Sequence, residues 1–99
     1  MFAYPNDSMR TTVALGCRVL ARAGLMENVL GHVSVRTGPD RMLIRCRGPQ
    51  ERGLLFTTRE DIHEVTLDGA GDLPPGYSVP HELPIHAEIL RARSEVGAV

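Results

Sequence analysis

Apolar positions along this chain fall into blocks of different period, and each period predicts an element. Over residues 8–23, Val13, Gly16, Cys17, Leu20 and Gly24 recur at spacings of three and four, which gathers them on one face of a helix. Asp7 or Ser8 can cap its start by accepting from free backbone N–H groups. Gly16 weakens a helix by about 1 kcal/mol relative to alanine, a cost that a close approach by another element would offset. Gly24 suits the left-handed position after the last turn, with Leu25 folding back onto Leu20.

Residues 29–36 alternate instead. Val29, Val33 and Val35 face one way and His32, Ser34 and Arg36 the other, which predicts a half-buried strand. Thr37-Gly38-Pro39-Asp40 is turn chemistry, and 42–46 supplies the partner strand of a hairpin. A loop follows over 47–53. Thr57 with Glu60 resembles a capping box, so a short helical turn is expected near 58–62. Residues 64–67 read as a third strand, ended by the Asp68-Gly69 turn.

The prolines and glycines of 70–81 make a second loop, and a helical pattern returns over 82–93. Pro84 is tolerated there because it falls in the first turn. Ile85, Ile89 and Leu90 form the expected apolar stripe, with Glu88, Arg91 and Arg93 facing water. The apolar run Val96-Gly97-Ala98-Val99 reads as the start of another buried strand. Strands joined by hairpins, with helices at either end of the order, predict an α+β arrangement: helices packed on an antiparallel sheet.

At 99 residues there is room for one domain or part of one. The 11 basic and 12 acidic residues nearly cancel, and the arginines are scattered, so no electrostatic footprint for nucleic acid is present. No apolar run approaches the roughly 20 residues of a membrane span. Residues 1–7 lack the basic start and apolar stretch of a secretion signal, so a cytoplasmic location is expected. Cys17 and Cys46 form neither a disulfide framework nor a zinc cluster and read as small buried hydrophobes.

Few residues could carry chemistry. Four histidines occur: His32, His63, His81 and His86. Glu82 and His86 stand at i and i+4, on one side of a helix; they could be a metal or acid–base pair, or a surface ion pair or helix-start contact. His81 and His86 are five apart and cannot share a helical face. Gly31-His32 either forms a bulge or permits close approach to a ligand. Arg47-Gly48 either holds a carboxylate or phosphate in the guanidinium fork or is a solvated loop. Gly69-Ala70-Gly71 is not a dinucleotide loop, since no buried parallel strand precedes it.

Several segments, in order, resemble the class II aldolase/adducin family. They are 17–25 (CRVLARAGL), 31–36 (GHVSVR), 42–44 (MLI), Asp61-Ile62 with Val65-Thr66-Leu67-Asp68-Gly69, and 80–86 (PHELPIH) running into 91–99 (RARSEVGAV). The resemblance covers nearly the whole chain. It implies a three-layer α/β/α fold with a central, mainly antiparallel sheet, incomplete in this chain, and homotetramers with active sites between subunits. It makes Glu82 the acid/base, able also to occupy a metal position before substrate arrives. It places Gly31, His32, Arg47, Gly48 and His81 among the groups around the anionic end of a small substrate.

The implied cofactor is a divalent metal, zinc in the usual case, acting as a Lewis acid on an enolate or enediolate while a carbon–carbon bond breaks. The family's His-x-His metal pair is expected just after the Val-Gly-Ala-Val run, so residues 1–99 are expected to be the N-terminal part of the domain and inactive alone. Pro80 and His81 stand where the family's sugar-phosphate aldolases carry serines, and His32 where they carry asparagine. Those departures point away from a phosphorylated sugar and toward an aldolase- or decarboxylase-type lyase acting on a hydroxy-carbonyl or carboxylate substrate. An adducin-like interaction module without catalysis, a sugar-phosphate dehydratase of the family and an unrelated small α+β binding domain are the alternatives.

Overall fold

A computed structural model describes residues 7–26 and 31–99. Helix α1 (Asp7–Arg22) is followed by strands β1 (Ser34–Gly38), β2 (Arg41–Arg45) and β3 (Ile62–Thr66), then helix α2 (Leu83–Ala92). The strands pair antiparallel in the order β1-β2-β3, with Ser34, Ile44 and His63 side by side across the sheet. The last residues add a rung to the free edge of β1: Ser34 N–H donates to Val99 O at 2.8 Å and Arg36 N–H to Gly97 O at 2.7 Å. Only an isolated bridge, Val35 with Ala98, stands where a buried strand was expected, and Gly97 and Ala98 are exposed.

Both faces of the sheet are covered. Val13 and Ala14 of α1 pack with Leu43 and Ile62, and Val33 and Val35 close that layer. On the other face Leu83, Ala87 and Leu90 of α2 pack with Met42, Ile44, Cys46, Val65 and Leu67. This is the layered α/β/α arrangement, built because alternate residues of β2 are apolar on both sides.

Several local expectations need correction. The β1 ladder begins at Ser34 rather than 29; Val29 and Leu30 lie outside the described residues, as do residues 1–6 and the Asp7 side chain. His32 and Ser34 do not face water but are buried under α2. Ser8 lies inside α1, where its carbonyl accepts from Thr12 Oγ1, so it is no cap. A Cβ on Gly16 would meet Val33 only at ordinary contact, 3.8 Å, so nothing there demands glycine. The turn after α1 is a Schellman stop as expected. Leu25 N–H donates to Leu20 O, Gly24 N–H donates to Ala21 O, and Gly24 takes φ 76°. Leu25 itself stays exposed.

The short turn is capped one residue later than expected: Thr58 N–H donates to the Asp61 carboxylate at 2.9 Å over Arg59–Asp61. Thr57 is instead buried. On α2 the inward stripe is Leu83, His86, Ala87 and Leu90, whereas Ile85 is 60% exposed. The helix is turned away from its isoleucines because His86 has a buried partner, Ser34, that draws its side inward.

Candidate active site

The start of β1, the end of β2 and the N-terminus of α2 converge at one end of the sheet. Glu82 sits at the N-cap position of α2, but its side chain caps nothing. The carboxylate is about one-third exposed and stands 3.8 Å from Nδ1 of His32. Among the described residues no hydrogen bond engages it.

His32 is 7% exposed, and neither ring nitrogen has a hydrogen-bond partner among the described residues. A buried polar group left in that state is costly and uncommon. Burial pushes its pKa below the ordinary histidine value, with the Glu82 charge opposing and the Arg45 and Arg47 charges assisting. His32 is therefore neutral near pH 7, with one donor and one acceptor available. The His86 ring packs edge-on to it, with centroids 6.3 Å apart. His86 shares a 2.6 Å hydrogen bond between Nδ1 and Ser34 Oγ, which fixes the ring whichever partner holds the hydrogen. Burial, and then the neighbouring His32, lower the His86 pKa, while Glu82 works the other way.

The loop after β2 frames this cluster. Arg47 exchanges both backbone hydrogen bonds with Ser78. Gly48 lies so close to the Tyr77 ring that a Cβ would stand 2.9 Å from it. Beneath the loop, Arg45 is 2% exposed. It donates to Thr57 Oγ1 at 2.7 Å and is ion-paired with Glu51. Burial works against the ionised Glu51, but bonds from Arg45 and the Gly53 N–H outweigh it and hold its carboxyl below the usual range. A cavity of about 260 Å³ opens here, bounded by Arg45, Gly48, Glu51, Asp61 and Tyr77.

Glu82 and His32 are thus brought together, with Gly31 next in chain and Arg47 within electrostatic reach of His32. Gly31 takes φ 97°, and a Cβ there would collide with Met26 at 2.3 Å, so its close approach is to the chain itself. His81 is exposed on the turn before α2. The expected Glu82–His86 pair on α2 is not the main contact, since His86 turns to Ser34. The Ser34–His86 bond and the Arg45–Glu51 pair were not foreseen. An arginine inside the apolar run Met42-Leu43-Ile44-Arg45-Cys46 was the available signal for the second.

A larger cavity, about 780 Å³, lies at the opposite end, beside Arg36, Asp68 and Arg91. Arg91 is bonded to Asp68 and Glu88, and Arg36 to backbone carbonyls, so both arginines there are already satisfied. Among the described residues no group of three or more His, Cys, Asp or Glu is placed to hold a metal ion. Glu82 offers one carboxylate, which does not by itself make a metal site.

Residues 11–99 match the family described as Class II Aldolase and Adducin N-terminal domain. The chain is 54% identical over 94 residues to a 3,4-dihydroxyphthalate decarboxylase of Arthrobacter keyseri, covering 91% of this chain and 38% of the relative. It is 53% identical over 93 residues to one of Terrabacter sp. (strain DBF63), covering 91% of this chain and 39% of that protein. It thus spans about two-fifths of the length of these curated relatives. Among solved structures, the L-fuculose 1-phosphate aldolase from Glaciozyma antarctica PI12 superposes with TM-score 0.76. That match has 23% identity and covers 93% of this chain and 38% of the aldolase, a likeness of fold.

Proposed function

This chain belongs to the class II aldolase/adducin family, and on that premise we propose that it is the N-terminal part of a lyase that decarboxylates a dihydroxylated aromatic carboxylate, 3,4-dihydroxyphthalate or a near analogue. The reading draws its substrate class from the relatives and its chemistry from Glu82. A carboxylate with no internal hydrogen bond, beside a neutral imidazole with both nitrogens unsatisfied, is the observation that carries it. Groups left in that condition are costly to the fold and are kept where a ligand completes them.

In decarboxylation the bond between ring and carboxyl carbon breaks, carbon dioxide leaves, and the electron pair stays on the ring carbon. That carbon then takes a proton. Glu82 in its acid form delivers it, and its partial exposure lets solvent restore it. His32 donates to and accepts from the substrate's oxygens, and Arg47 holds an anionic group as a fork. A divalent metal, zinc by the family expectation, would stabilise charge on the substrate oxygens when bound. Glu82 is the one ligand assigned to it here, and the others would come from the remainder of the full-length protein. A cytoplasmic homotetramer acting on a small molecule is the wider frame of the proposal.

The test uses the full-length protein and follows carbon dioxide release from 3,4-dihydroxyphthalate. Glu82→Gln should lower kcat by about 10²–10⁴-fold with the melting temperature preserved. Wild-type turnover in that variant would remove Glu82 from the chemistry, and no turnover by the unaltered protein would remove the substrate.

A further inference from the structure

The loop carrying Arg47 and Gly48 and the loop delivering Glu82 are fastened together at three successive positions. Arg47 N–H donates to Ser78 O at 2.8 Å, and Ser78 N–H donates back to Arg47 O at 2.9 Å. The Tyr77 ring lies on Gly48, where a Cβ would stand 2.9 Å from Cε1. Gly76, at φ 87°, brings its backbone against Pro49, whose ring would lie 3.0 Å from an added Cβ. Tyr77 is itself held at both ends. Its hydroxyl donates to Asp61 Oδ1 at 3.1 Å, and its ring meets the edge of His63 at 4.7 Å between centroids. Glu82 follows only four residues after Ser78.

We propose that Tyr77 is a positioning residue that, by resting on Gly48, sets where the Arg47-Gly48 turn stands relative to Glu82. The proposal rests on the reading of Arg47 and Gly48 as substrate contacts. Apart from the Arg47–Ser78 rung, the two segments have no strand or helix between residues 46 and 53 or between 70 and 81, so the aromatic contact supplies order that regular structure does not. Displacing a binding group by about 1 Å can cost up to ~10²-fold in rate. When the group binds substrate without moving the proton, the loss appears chiefly in KM.

In full-length protein, Tyr77→Ala should raise KM for 3,4-dihydroxyphthalate about tenfold, with a smaller change in kcat. It should also speed amide hydrogen exchange at Arg47 and Ser78. Tyr77→Leu replaces it if the alanine variant does not fold. Gly48→Ala should raise KM by pushing the ring aside. That cost should vanish in the Tyr77→Ala background, where no ring is met, and persist in Tyr77→Phe, which keeps the ring and loses the hydroxyl. Additive effects of Gly48→Ala and Tyr77→Ala, or faster exchange with KM unmoved in an active enzyme, overturn the proposal. If the unaltered protein does not act on dihydroxyphthalate, the proposed function falls. Exchange then decides alone: faster exchange at Arg47 in Tyr77→Ala upholds the clamp, and unchanged protection overturns it.

Discussion

Arg36 and His32 project toward α2 from the same side of the chain, four residues apart, and their surroundings differ completely. Arg36 donates from Nε to Val96 O at 2.9 Å and from Nη2 to Leu90 O at 2.5 Å and Arg93 O at 3.1 Å. Leu90 O is a carbonyl of the last turn of α2 with no partner inside the helix, and Arg93 O also accepts from the Val96 N–H. His32, at the other end of α2, makes no hydrogen bond through either nitrogen among the described residues. One end of the helix is closed by a polar side chain whose needs are met inside the fold. The other end carries no such closure, and Glu82 stands beside it about one-third exposed. A satisfied arginine there serves the architecture, whereas a buried ring with both nitrogens unpaired beside a carboxylate marks the place where a ligand would complete the bonding.

The largest effect expected on that contrast is at the closed end. Arg36→Met keeps bulk but removes the donor to the part-buried Leu90 and Val96 carbonyls, and it should cost about 3 kcal/mol in urea unfolding of the full-length protein. A variant as stable as the unaltered protein would erase the distinction between the two ends. At the open end the outcome should be reversed. His32→Phe keeps a ring of similar size and removes two unsatisfied nitrogens, so stability should move by less than about 1 kcal/mol or rise. The proposed decarboxylation by the full-length protein should nevertheless fall about a hundredfold. Strong destabilisation with activity intact would mean that His32 serves the fold.

The smallest effect is on pH dependence. His32, His63 and His86 are each held below the ordinary histidine value of 6.5, by burial first. The unfolded chain therefore binds more protons in that interval. Stability is whole above about pH 6.5 and is lost as the pH falls toward the folded-state values. Melting temperature measured between about pH 7.5 and 5 should drop on the acid side, and less steeply in His32→Phe. A melting temperature that rises on acidification contradicts the burial of these rings.

Much of the frame was legible from period alone. Helices α1 and α2 and strand β2 fall within a residue or two of where the pattern put them, whereas β1 and β3 are shifted along the chain, to Ser34–Gly38 and Ile62–Thr66. What was not legible came from polar residues that act as interior groups. His86 is drawn inward by Ser34, so α2 is turned relative to its isoleucines. Arg36 looked like the solvent face of a strand and instead closes a helix end. Arg45 sits fully buried because Thr57 and Glu51, six to twelve residues on, come back to meet it. Such partners are remote or loop-borne, and no periodicity encodes them. Glu82 and His32 were candidates from their spacing and neighbours, and resemblance supplied their roles. Their adjacency is a property of the folded chain.

The two cysteines carry a practical consequence. Cys17 belongs to the α1 layer and Cys46 to the α2 layer, and both side chains are fully enclosed. Burial raises the thiol pKa of each, that of Cys46 to about 12, so neither ionises at neutral pH while its layer is shut. An alkylating reagent can reach either sulfur only during an opening event. Each layer thus contains its own chemical stopwatch, and the ratio of the two labelling rates tells which side of the sheet breathes first.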